Sequence, residues 1–363
     1  MNEHPSRPAL VTIIFGVLAL GIVLADGGPD HRVRTMWFGS SGGNVNFIGN
    51  RYCCSGTLGA LVADSQNRLY VLSNNHVLGL SDAAQAGDDV SQPGLIDNGC
   101  RPGTLVADFT VAPALGPSNV DAAIAQLRKG AMDQNGFILD IGIPSSNIAA
   151  PSVGLDVQKS GRTTGWTAGE IGAINATVKV QYQQGCGQGR KFTVRFTNQI
   201  VINSATFSAG GDSGSLIVTT SSRQPVGLLF AGSSSTTIAN PIGDVLDEVS
   251  ASLTQPVSFS LPAAPNFTGS QASTLTDEEV ARGNAVKETH ARRLLDDPSV
   301  FGVGVGVDAD RSDRAALIVY IARGRGRRGI PPSINNVPTH VVETDPIVAY
   351  GWNEVAGRTC AVR

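Results

Sequence analysis

Between about residues 42 and 255 the sequence is a succession of short β-prone runs, each stopped by Gly, Pro, Asn or Ser. The clearest lie at 57–62, 69–73, 122–127, 171–182, 191–201, 215–219 and 226–231. In several, apolar and polar residues alternate, as in Thr177-Val178-Lys179-Val180-Gln181-Tyr182. A period of two places successive side chains on opposite faces, the mark of a half-buried antiparallel strand. No regular alternation of strand and helix occurs, which argues against a doubly wound parallel sheet. The 43 glycines, against three Met and three Trp, suit many strands joined by tight turns. The expected fold is mainly β, with closed sheets.

The ends of this region differ in kind. Asn240-Pro241 precedes Ile242, Val245, Leu246, Val249 and Leu253, whose spacing predicts a short helix over 241–254. Residues 256–273 carry three prolines among Ser and Ala and read as a linker. Thr276 and Glu279 then fit a capping box that starts a helix reaching about residue 295. Strands are expected at 300–307, 316–322 and near 339–344. Residues 274–363 are therefore expected to form a small α+β domain, of unassigned role. At the other end, residues 9–25 form a 17-residue apolar run after Arg7. That length sits at the short edge of a membrane span, roughly 17–25 residues, and above a signal-peptide core of about 7–15. Residues 1–28 fit a signal peptide, with Val23 and Ala25 before the cut, or a membrane anchor; a start without targeting is the third alternative. The first two make the protein exported, periplasmic or extracellular, or membrane-anchored.

A net charge of −3 gives no electrostatic ground for binding nucleic acid, and membrane contact is expected only through the N-terminal segment. The five cysteines have no zinc-ribbon or redox spacing, so no metal is expected. They allow at most two bridges, or buried free thiols. Phe301-Gly302-Val303-Gly304-Val305-Gly306-Val307 contains G-x-G-x-G but lacks the helix and later acid of a dinucleotide site, and reads as a tightly packed strand; no cofactor is expected. Arg323–Arg328 reads as a solvated basic loop.

The chemistry centres on Ser208-Ala209-Gly210-Gly211-Asp212-Ser213-Gly214-Ser215. Glycines free backbone amides to face a bound group, and Ser213 is a candidate nucleophile that needs a base and an orienting acid. Of five histidines only His76 lies inside the β region, just after the apolar run Leu69-Tyr70-Val71-Leu72. Asp121 leads the apolar run 122–127, a place from which a carboxylate can reach a sheet rim. The order His76, Asp121, Ser213 is that of chymotrypsin-type enzymes, and unlike the subtilisin or α/β-hydrolase orders.

These blocks together resemble a trypsin-like serine protease of the chymotrypsin fold. Gly211-Asp212-Ser213-Gly214 matches the nucleophile motif. Cys54-Ser55-Gly56-Thr57-Leu58 with Ser73-Asn74-Asn75-His76-Val77 resembles the histidine block, and Asn119-Val120-Asp121-Ala122-Ala123 the acid block. Lys159-Ser160-Gly161-Arg162-Thr163-Thr164-Gly165 and Val226-Gly227-Leu228-Leu229-Phe230-Ala231-Gly232-Ser233 resemble second-barrel segments of bacterial peptidases. The whole is most similar to the narrow-leaf-type trypsin-like peptidases of bacteria and plants, over about residues 40–255. The resemblance implies two β-barrels, a His76–Asp121–Ser213 triad, an oxyanion hole from the Gly211 and Ser213 amides, and a substrate pocket around Phe207, Phe230, Ala231 and Gly232. The activity implied is a serine endopeptidase acting on protein or peptide substrates; a homo-oligomer is neither required nor forbidden. Phe207 stands six residues before Ser213, where tryptic enzymes keep a pocket acid, so no Arg/Lys preference is expected. No Ile-Val-Gly-Gly segment precedes the barrel, so Asp212 needs another partner than a released N-terminus. The alternative is a catalytically silent scaffold on the same fold.

Overall fold

The computed structural model describes residues 36–49, 52–186, 189–266 and 274–349. The apolar run at 9–25 and Cys360 lie outside them. The first group of strands is β1 (Ser40–Asn44), β2 (Gly56–Leu58), β3 (Ala60–Asp64), β4 (Leu69–Ser73), β5 (Asp89–Gln92), β6 (Thr104–Val111) and β7 (Ala123–Leu127). β2 and β3 are one strand bent at Gly59. Neighbours pair antiparallel around a ring in the order β1, β2/β3, β4, β7, β6, β5 and back to β1. Its strands carry Leu61, Val71, Leu72, Val90 and Ile124, all fully buried and on both faces of the sheet. Closure of the ring leaves no open sheet edge.

The second ring uses β8 (Asp156–Gly161), β9 (Gly165–Gln183), β10 (Lys191–Ile202), β11 (Leu216–Thr219), β12 (Pro225–Gly232) and β13 (Thr237–Pro241). It closes in the order β8, β9, β10, β13, β12, β11 and back to β8. The expected runs are therefore strands, although the one at 171–182 is only part of the 19-residue β9. The single-turn helix α1 (Asn75–Leu78) follows β4, and helix α2 (Ile242–Leu253) follows β13. α2 returns Ile242, Val245 and Val249 to the first barrel's core.

Two features of the C-terminal third differ from the linear reading. The described part of the expected linker, 256–266, is not a plain spacer. β14 (Val257–Ser258) pairs with β3, and Phe259 and Leu261 are buried in the first barrel's core. Its apolar residues outweigh its prolines. Beyond it come α3 (Asp277–Leu295), β15 (Val300–Asp308), β16 (Arg311–Ala322), β17 (Ser333–Ile334), β18 (Val337–Thr344) and β19 (Val348–Ala349). These do not form a detached unit: β15 pairs antiparallel with β9, Gly302 opposite Val178 and Val305 opposite Ile174. The glycines of the G-x-G-x-G run permit this approach, since a Cβ on Gly304 would sit 3.1 Å from the Ala176 Cβ. β16 adds to β15, β18 runs parallel to β16, and α3 covers the sheet with Val286, Ala291 and Leu295.

Two disulfides join distant segments, Cys53–Cys100 and Cys54–Cys186. The second ties the first barrel to the loop between β9 and β10.

Candidate active site

The candidate residues lie where the two barrels face each other. β4 ends at Ser73, and the turn that follows carries His76 on α1. The Asn74 side-chain amide donates to the Asp121 carbonyl (2.7 Å), and the Asn75 amide to the Pro113 carbonyl (2.8 Å). These bonds stitch the histidine turn to the segment between β6 and β7. Asp121 is fully buried and its own amide donates to the Asn240 side chain (2.9 Å). Its carboxylate accepts from His76 Nδ1 (2.6 Å, at Oδ2) and from the His76 amide (3.1 Å, at Oδ1). The imidazole is thereby held by one carboxylate at both ring and backbone.

A third donor was not visible in the sequence. The Tyr182 hydroxyl, from the far end of β9, donates to Asp121 Oδ2 at 2.8 Å. Burial, then the adjacent Asp121 charge, push this phenol well above its ordinary value of 10.0, so it keeps its proton and remains a donor. The alternation in 177–182 marks Tyr182 as inward-facing, but nothing in a single sequence assigns it to Asp121.

Ser213 reaches the same seam from the loop between β10 and β11. It is fully buried, and its Oγ donates to the Phe230 carbonyl at 3.3 Å. His76 Nε2 is buried too and has no hydrogen-bond partner among the described residues. His76 and Asp121 are thus joined, while the serine hydroxyl is turned to β12.

The loop around Ser213 is fixed from both barrels. The Thr57 amide donates to the Ser213 carbonyl (2.8 Å) and the Thr57 hydroxyl to the Gly211 carbonyl (2.9 Å). The Gly210 carbonyl accepts from the Thr163 hydroxyl at 2.6 Å. The Asp212 carbonyl accepts from the Ser215 hydroxyl at 2.6 Å. In a trans peptide the N–H points opposite the C=O. Anchoring the Gly210 and Asp212 carbonyls therefore turns the Gly211 and Ser213 N–H groups away from those anchors. Gly214 has φ of +94°, and a Cβ there would collide with Ser73 Oγ and the Thr57 carbonyl, so only glycine fits.

Asp212, the acid before the serine, is satisfied from within the chain. Its carboxylate accepts from the amides of Thr163 (2.8 Å), Thr164 (3.1 Å) and Ala209 (2.9 Å), and from the Thr164 hydroxyl (2.7 Å). Lys159 Nζ lies 3.5 Å away, also fully buried. Burial pulls the lysine's pKa down, and the Asp212 charge opposes that. Lys159 thus supplies a buried cation beside Asp212 from within the second barrel. Next to it, Arg162 forms a buried two-pronged pair with Asp97 (2.6 Å for each prong), tying this loop to the first barrel.

Of the four residues expected around a pocket, Phe207 lies in one cluster and Phe230 and Ala231 in another. The Phe207 ring is fully buried among Val157, Ile171, Ile202 and Leu229, over β9 at Gly169. The Phe230 ring packs against Phe196 at 4.9 Å, in a different cluster. Ala231 and Gly232 lie along β12, one and two residues beyond the carbonyl that meets Ser213. The loop 323–328 is engaged within the protein, Arg323 pairing with Asp345 (3.0 Å) and Arg325 with Asp297.

No family model matches the sequence, and no curated protein does. Among solved structures the chain is similar to a glutamic-acid-specific serine protease, at 21% identity over 61% of this chain and 98% of that one, with a TM-score of 0.43. It is also similar to a Nocardiopsis protease, at 17% identity and TM-score 0.41, and to Thermobifida fusca protease A, at 18% and 0.40; both alignments cover 61% of this chain and 98% of the other. Two closed six-membered rings in chain order, with His76 and Asp121 from the first and Ser213 from the second, decide the architecture. This is a trypsin-like protease fold. In it, the β15–β18 sheet and α3 are an addition built outward from β9 of the second barrel.

Proposed function

We propose that the protein is an exported serine endopeptidase that cleaves peptide bonds through an acyl-enzyme. Ser213 Oγ attacks the acyl carbon and its proton passes to His76 Nε2. Asp121 holds Nδ1 protonated and stabilises the imidazolium. The amides of Gly211 and Ser213 receive the oxyanion, where losing one donor costs on the order of 3–4 kcal/mol of transition-state stabilisation. His76 then gives the proton to the leaving amine, and water repeats the cycle on the acyl-enzyme. The observation that carries this reading is the His76 ring, fixed to Asp121 at 2.6 Å with its other nitrogen unclaimed in the seam that holds Ser213. Export is supported by the two disulfides, which persist in oxidising compartments. With Phe207 in place of a pocket acid, cleavage after Arg or Lys is not favoured.

The second reading, a silent scaffold, is favoured by one observation: the Ser213 hydroxyl is bonded to Phe230 and not to His76. Reaction with a fluorophosphonate, followed by a panel of peptides differing in the residue before the cut, separates the two. Labelling that Ser213→Ala abolishes supports the peptidase. Equal labelling of both proteins sinks it, and preferred cleavage after basic residues refutes the expectation about Phe207.

A further inference from the structure

One edge of β12 is used by the barrel over only part of its length. Along 225–228 that edge pairs with β11. Beyond that point Leu229 still exchanges backbone bonds with Gly214 and Ser215, and past Phe230 the residues Ala231 and Gly232 offer their backbone to another strand. In the structure that strand is β19 of the same chain, with Ala349 opposite Ala231 and Val348 opposite Gly232. The other side of β19 pairs with β9 at Gln181, whose amide donates to the Ile347 carbonyl at 3.0 Å. Ile347 and Ala349 are buried in the cluster that holds Phe230, Ala231 and Tyr182.

The direction of β19 matters. It is antiparallel to β12, so higher numbers on one strand face lower numbers on the other. Passing from Val348 to Ala349 moves from Gly232 to Ala231, and the next residue along β12 is Phe230. Its carbonyl is the group that holds the Ser213 hydroxyl. The segment therefore runs along the β12 edge toward the nucleophile, as an extended peptide added to a sheet edge does. Ser213 is fully buried and His76 only 2% exposed, a poor state for admitting a substrate.

A polar clamp holds the segment just before β19. Ser235 Oγ donates to Thr344 Oγ1 at 3.0 Å, Ser234 Oγ to the Asp345 carboxylate, and Arg323 pairs with Asp345 at 3.0 Å and with Ser234 Oγ at 2.7 Å. The loop that follows β12 and the segment that leads into β19 are thus fastened together.

We propose that Ile347–Ala349 is an intramolecular pseudo-substrate, which occupies the β12 edge beside Ser213 and keeps the enzyme closed to peptides until it is displaced or removed. The proposal rests on the peptidase reading given above. Among the described residues the contact is three residues long, and the clamp is on the surface.

The test compares the full chain with a chain ending at Pro346, and adds the full-length variant Ala349→Asp, which forces a carboxylate into the apolar cluster. The readouts are the rate of fluorophosphonate labelling at Ser213 and the fold, by circular dichroism. Both altered proteins are expected to label at least tenfold faster than the full chain. A synthetic peptide of residues 344–363, added to the chain ending at Pro346, is expected to slow labelling and to bind its Ser213→Ala form, as read by fluorescence anisotropy of a labelled peptide. Equal, Ser213-dependent labelling of all three folded proteins overturns the pseudo-substrate and leaves the peptidase standing. Absence of Ser213-dependent labelling in every folded protein overturns both. Failure of the chain ending at Pro346 to fold leaves the decision to Ala349→Asp.

Discussion

Asp121 shows how much of the site rests on single atoms. One carboxylate with no solvent exposure takes three hydrogen bonds, two from His76 and one from Tyr182. Burial raises the cost of each missing partner, because no water replaces it. Tyr182→Phe removes one donor and leaves the ring in place. A hydrogen bond to a charged group contributes about 1.5–3 kcal/mol. If half or more of that is felt in the transition state, kcat falls roughly 4- to 160-fold with KM little changed. Steady-state kinetics on active-site-titrated enzyme checks this. A purely structural role for Tyr182 would lower the melting temperature and leave kcat of the folded fraction alone. Of this constellation, the pairing of His76 with Asp121 was legible in the sequence, because motif order and flanking apolar runs mark both residues, while Ser213 stands as the proposed nucleophile. Tyr182 and Lys159 were not. Each acts across more than 45 residues of chain, on a partner that local pattern does not identify.

At the scale of elements, α3 is the clearest case of a signal only half realised. Thr276 caps the helix as its sequence implies, its side chain accepting from the Glu279 amide at 3.3 Å. Glu279 does not reach back in the usual reciprocal bond. It turns instead to Arg282 (2.6 Å) and accepts from the Ala315 amide of β16 (2.8 Å), so it pins the helix to the sheet. The bonds from Arg282 and then Ala315 hold its carboxyl down from an ordinary 4.5 to about 2. A depressed carboxylate stabilises the fold above its unfolded value and ceases to do so as acid protonates it. Glu279→Gln is therefore expected to lower the melting temperature at pH 6–7. The gap to the wild type should close as pH falls from about 4.5 toward 2. Thermal unfolding across that range checks it, and a gap that stays constant or widens in acid refutes the assignment. Periodicity fixed which residues of each strand face inward. It carried no information on partners, which is why β15 beside β9, β14 beside β3 and β19 beside β12 could not be read from the chain.

For the molecule as a whole, the disulfide Cys54–Cys186 and the Arg162–Asp97 pair bind the barrels to each other. β15 binds the C-terminal third to β9, and β19 binds it to β9 and β12. The sequence divides near residue 255, where composition shifts, but the hydrogen bonds do not divide there. The consequence lies in the order in which the chain is made. β9 spans 165–183, and the part of its edge at 174–178 is paired only by residues 302–305. During synthesis that edge waits, unsatisfied, for more than a hundred further residues. A bare edge invites pairing with a neighbouring chain. A protein ending at Gln255 should thus contain every residue of the proposed catalytic apparatus and still collect as aggregates, which sedimentation of the refolded protein would reveal; a soluble, monomeric product would show that β9 tolerates the open edge. On this expectation the late-arriving strand protects the early one.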